Sequence, residues 1–141
     1  MTTRIPPRSP REVMDGWHHL PRYIDKIRLN LAGRLHEEYQ ANFGKGFDAS
    51  WLAAAGLTHE QMIEVVRDRA TDGEVYDWVR SNVHVSDRAK EAHWVRMLDY
   101  PRADDPATQE RLAMRKSQSG LADRQDITCF VDYIDADEGR L

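Results

Sequence analysis

Arg22 and Lys26 stand four residues apart with Asp25 between them, inside the stretch Leu20–Leu35 (LPRYIDKIRLNLAGRL). At helical spacing the three side chains share one face. A guanidinium beside an ammonium is the donor set that a carboxylate or phosphate needs. Asp25, three residues from both Arg22 and Arg28, can neutralise part of that charge and hold one cation in place. The plainer reading of the same spacing is a surface whose charges pair within the chain and contribute little. No nucleotide or phosphate motif accompanies it. A second charged cluster closes the chain at Asp137, Glu138 and Arg140. The expected ligand-binding residues are therefore Arg22, Asp25, Lys26, Asp137, Glu138 and Arg140.

Other chemistry is weakly signalled. The six histidines do not fall into a ligand pattern. His18 and His19 are adjacent and point different ways in any regular structure, and His36 lacks the i, i+4 partner of a helical zinc pair. No metal and no cofactor is expected. Gly44-Lys45-Gly46 is too short for a phosphate cradle, has no Ser or Thr after the Lys, and reads as a turn. Cys129 has no neighbouring base and reads as a small buried apolar residue rather than a nucleophile. The carboxylates Asp132, Asp135, Asp137 and Glu138 suit a solvated acidic end better than a catalytic pair. Catalytic residues stay unassigned.

The elements that position these groups read as helices. Leu20, Tyr23, Ile24, Ile27, Leu31 and Leu35 make one apolar stripe, with Pro21 in the first turn and Gly33 near the end. Leu29 interrupts the charged side, which implies that a second copy or the C-terminal tail covers it. Residues 1–19, with Pro6, Pro7 and Pro10, form an extended arm in which Ser9 and Glu12 suggest a capped turn ended by Gly16. Further on, Asp48 caps a helix closed by Gly56, and Thr58 with Gln61 and Thr71 with Glu74 form capping boxes. Ser86 opens a helix that Pro101 stops, and Asp105-Pro106 opens another that ends near Gly120. Asp126 is placed to cap a last helix, where Ile127, Phe130, Val131 and Ile134 repeat at helical spacing. The fold class is all-α: a compact single domain over 1–141, of six or seven short helices, with an extended arm at 1–19 and an acidic tail at 135–141.

Composition agrees. At 141 residues and 40% hydrophobic content the chain can bury a core and is not disordered. Its tryptophans and tyrosines fall on core stripes rather than on a basic surface, and 24 acids against 20 bases make nucleic acid an unlikely partner. Seven bases against three acids in residues 1–36, and six acids against two bases in 121–141, suggest pairing within the fold or between subunits. No apolar run reaches membrane-spanning length and no signal peptide precedes the chain, so a membrane is not expected. A single cysteine excludes an internal disulfide and fits a reducing compartment, read as the cytoplasm.

Three motifs together resemble a known family. Pro7-Arg8-Ser9-Pro10-Arg11-Glu12, Leu20-Pro21-Arg22-Tyr23-Ile24-Asp25-Lys26-Ile27-Arg28, and Thr71-Asp72-Gly73-Glu74-Val75 with Trp78 are joined by the ending Asp135-Ala136-Asp137-Glu138-Gly139-Arg140. The combination is similar to a family of small bacterial proteins known as domain of unknown function number 5069, over nearly the whole chain. The resemblance implies a stand-alone bacterial domain and brings no activity, substrate or cofactor.

These readings converge on a small helical binding or interaction module with a charged recognition face on the Leu20–Leu35 helix. Its expected partner is an anionic small molecule or a protein, and it could form a homodimer. In the structural form of that reading, Arg22 or Lys26 pairs with Asp137 or Glu138 and locks the tail onto the helix. The alternative is a small enzyme acting on an anionic metabolite, with Arg22 and Lys26 binding the anion while His36, Asp25 or Glu38 moves a proton.

Overall fold

A computed structural model describes residues 3–141, with eight helices and one two-stranded sheet among them. The chain divides into two compact units, Met1–His93 and Trp94–Leu141.

In the arm of the first unit Ser9 opens a turn, accepting from the Arg11 amide at its hydroxyl and from the Glu12 amide at its carbonyl, and a hairpin replaces the expected continuation of that turn through Met14. β1 (Val13–Met14) pairs antiparallel with β2 (Trp17–His18), Val13 facing His18 and Met14 facing Trp17. Asp15 at φ 52 and Gly16 at φ 76 make the turn between them. Two successive residues at positive φ match the twist of the flanking strands, which is why Asp-Gly favours such hairpins. Strands of two residues are too short to leave an alternating pattern, so only that dipeptide betrayed them.

α1 follows at Leu20–Leu31, with Pro21 in its first turn as expected. Leu20, Tyr23, Ile24 and Ile27 are fully buried. Leu31, expected in the same stripe, is 41% exposed because the helix ends there, and Leu35 is buried from the loop beyond. Ala32 and Gly33 close the helix, Gly33 at φ 68.

α1 packs on β1, α3 (Phe47–Ala55) and α4 (His59–Arg67), and α4 packs on α5 (Asp72–Asn82). α2 is the single turn Glu37–Gln40. Trp17 and Trp51 meet edge to face at 5.9 Å in the centre of this core, with Tyr23 beside Trp51. Thr58 and Gln61 form the full reciprocal capping box at the start of α4. Thr71 accepts from the Glu74 amide at the start of α5, while its hydroxyl donates to the Glu74 carboxylate. Ser86 likewise caps α6 (Asp87–Leu98) by accepting from the Ala89 amide.

In the second unit α7 (Pro106–Gln118) begins at Asp105, whose carboxylate accepts from the Thr108 amide. α8 (Phe130–Asp137) packs against α7 and is a helix, as its apolar period predicts. It starts later than expected. Asp126 does not cap it, because its carboxylate is held by Arg124 at 2.8 and 2.9 Å. Cys129 occupies the cap position without a side-chain capping bond, and burial pushes its thiol pKa up. No helix among the described residues is long and apolar enough to cross a membrane.

Candidate functional site

The structure takes the charges of α1 one by one and gives each a partner. Arg22 is 4% exposed and donates to the backbone carbonyl of Arg8 at 3.1 Å, its guanidinium lying over the Tyr39 ring. Asp25 does not hold Arg22 or Arg28. It accepts from the Arg8 amide and guanidinium, at 2.9 to 3.0 Å. Arg8 also reaches Asp72, which Arg28 contacts from the other side. Leu29 is half-buried.

Lys26 leads to a group that the sequence reading missed. Its ammonium lies 3.1 and 3.3 Å from the two oxygens of Asp48, which is wholly buried. Asp48 had been read as the cap of α3, but Gly46 takes that position and the Asp48 side chain turns into the core. There it accepts from His19 Nε2 at 2.7 Å and from the Gly44 amide at 3.0 Å. Burial alone would raise the Asp48 carboxyl; the His19 hydrogen bond and the Lys26 charge hold it below the usual range. Burial lowers the pKa of His19, against the pull of Asp48, and the Lys26 and Arg22 charges add to that lowering. The cluster is thus a carboxylate shared by an ammonium and a neutral imidazole.

His19 is placed at a cost. It is the cap residue of α1, yet its side chain makes no capping bond, and its φ of 74 is unusual for any residue but glycine. Its amide donates to the carbonyls of Pro10 and Glu12, which fixes the turn. The imidazole is 1% exposed, stands edge-on to Phe47, and its Nδ1 finds no hydrogen-bond partner among the protein's atoms. The buried indole N–H groups of Trp17 and Trp51 share that condition, though as donors in an aromatic setting.

The Gly44-Lys45-Gly46 turn proves structural in a specific way. Gly44 has φ 73, and a Cβ there would sit 2.7 Å from the His59 ring. On one side its amide reaches Asp48; on the other its backbone lies against His59, whose Nδ1 is 2.6 Å from the Tyr23 hydroxyl. Burial, with the Asp48 and Glu60 charges, raises the Tyr23 phenol, so it stays neutral.

The tail residues belong to the second unit. Arg140 bridges Asp135 at 3.0 Å and Glu138 at 2.6 Å, and Asp137 is half-buried on the last turn of α8. The groups expected to move a proton are dispersed among separate duties: His36 caps α2 through the Glu38 amide, Glu38 pairs with Arg4, and Asp25 with Arg8. His18 meets the Arg11 carbonyl, confirming that it and His19 diverge. Among the described residues no three His, Cys, Asp or Glu side chains are grouped as metal ligands.

Sequence alone held one hint of the buried cluster. Asp48 sits where a cap is plausible, but only the return of the chain past α1 sets it against Lys26 and His19.

No curated protein matches the chain. The family model described as domain of unknown function (DUF5069) matches residues 4–140, nearly the whole sequence and all the motifs of α1 and the tail, and the chain belongs to that family.

Proposed function

We propose that the chain is a small binding module, without catalysis of its own, whose recognition centre is built on the charged side of α1. The observation that carries this reading is the buried Lys26–Asp48–His19 cluster. Well-packed apolar side chains would serve stability as well as a buried ion pair or better. A strained histidine that forgoes its capping bond and keeps a nitrogen open favours a binding role for the cluster. Lys26 belongs to the recognition set in this reading, with Arg22 and Asp25 as the shell that holds α1 to the arm. A small molecule with an anionic group fits the cationic character of that side, and a protein partner is the other candidate. The single cysteine suits the bacterial cytoplasm as the setting.

The acid–base alternative has less support, since His36, Asp25 and Glu38 are each engaged elsewhere.

Native mass spectrometry of the freshly purified chain, against its denatured mass, tests the proposal. Added mass that disappears on denaturation is the expected result. A bare native mass would overturn the small-molecule form, and a multiple of the chain mass would identify a homodimer as the partner.

A further inference from the structure

We infer that the ligand of this centre is received at His19 Nδ1 and presents an O–H or N–H group to it, so that a bare anion is not its recognition element. The inference rests on the binding reading above and adds the chemical class of the ligand.

The argument runs through the protons. Asp48 is ionised beside Lys26 and can only accept, so the proton in the 2.7 Å contact belongs to His19 Nε2. In a neutral imidazole the other nitrogen is then a lone pair. Nδ1 is therefore an acceptor, buried within a residue 1% exposed, with no donor from the protein. An anion set against that lone pair would be repelled, whereas a hydroxyl, amide or amine would satisfy it. Any anionic portion of the ligand must come attached to such a donor.

The surroundings fix the acceptor in place. The Asp48 oxygens are held by Lys26 and the Gly44 amide, so the carboxylate cannot rotate away from Nε2. The backbone of His19 is tied to Pro10 and Glu12, and Phe47 stands against the ring. This is the orienting arrangement of an aspartate behind a histidine, which fixes which ring nitrogen carries the proton and which carries the lone pair.

The test uses the full chain labelled with ¹⁵N-histidine. Nitrogen resonances separate a protonated, a hydrogen-bonded and a free imidazole nitrogen, and native mass spectrometry is run on the same sample. The expected result is Nε2 protonated, Nδ1 accepting a hydrogen bond, and an added mass that His19→Gln loses while still unfolding cooperatively. Gln keeps a donor for Asp48, while its only acceptor is the carbonyl oxygen at the end of the same amide and not at the Nδ1 position. A protonated or free Nδ1, or an added mass that persists in His19→Gln, overturns this inference and leaves the binding module standing. An accepting Nδ1 on a chain of bare mass identifies the occupant as water and overturns this inference together with the small-molecule form of the binding module. If His19→Gln does not fold, the wild-type resonances decide alone.

Discussion

Replacing Lys26 with methionine isolates the ion pair at the centre of the first unit. Met preserves most of the side-chain volume while removing the ammonium that lies 3.1 Å from a fully buried carboxylate. Asp48 would retain only His19 and the Gly44 amide. Breaking a buried pair by deleting one member costs about 3–5 kcal/mol, whereas an exposed pair is worth about 1 kcal/mol or less. With Lys26 at 5% exposure and Asp48 at 0%, the buried figure applies. A chain of this size shifts by about 3 °C per kcal/mol, so a fall in Tm of about 9–15 °C is expected. Urea unfolding followed by circular dichroism gives the free energy directly.

Acid provides an internal control for the same variant. Asp48 in the folded wild type titrates below its ordinary 3.8, so its stabilising contribution is present above 3.8 and disappears as pH falls through the folded value. Without Lys26, burial drives that carboxyl upward and it takes a proton at milder pH. The deficit of Lys26→Met is therefore largest at neutral pH and narrows in acid. Adding Asp48→Leu restores much of the stability, since an apolar pair replaces a broken ionic one. A loss below about 1 kcal/mol, or a deficit that does not change with pH, would refute the buried-pair account.

Three further outcomes follow from named contacts. His19 and His18 both have folded pKa values below 6.5, so wild-type stability falls as pH drops below 6.5; thermal unfolding across that range is expected to show a shallower fall in His19→Gln, with His18 supplying what remains. Gly44→Ala combines positive φ with a Cβ 2.7 Å from the His59 ring and is expected to cost at least about 2 kcal/mol in urea, while an unchanged midpoint would mean that the turn relaxes freely. Thr58→Ala removes one half of the capping box on α4 and should cost about 1 kcal/mol, read as a shift of the urea midpoint without a change of slope.

Local rules were sufficient wherever an interaction spans three or four residues. The Thr58–Gln61 box, the Thr71 and Ser86 caps, Asp105-Pro106 at the head of α7 and the α1 stripe from Leu20 to Ile27 are all settled by the sequence immediately around them. The all-α class rests on those same short-range signals. Where a rule was locally satisfied but a distant partner offered more, the local reading failed. Asp126 was drawn to Arg124, and Asp48 left the cap of α3 for His19 and Lys26, residues 29 and 22 positions away. The Asp15-Gly16 hairpin lay in between, carried by two residues whose flanking strands were too short to announce it. Residue types and helical faces are properties of the chain, and they brought Arg22, Asp25 and Lys26 to notice. Which of those charges is buried, and against which carboxylate, depends on desolvation and on contacts between segments far apart in sequence. Only the folded packing of α1, α3 and the 41–46 turn decides that.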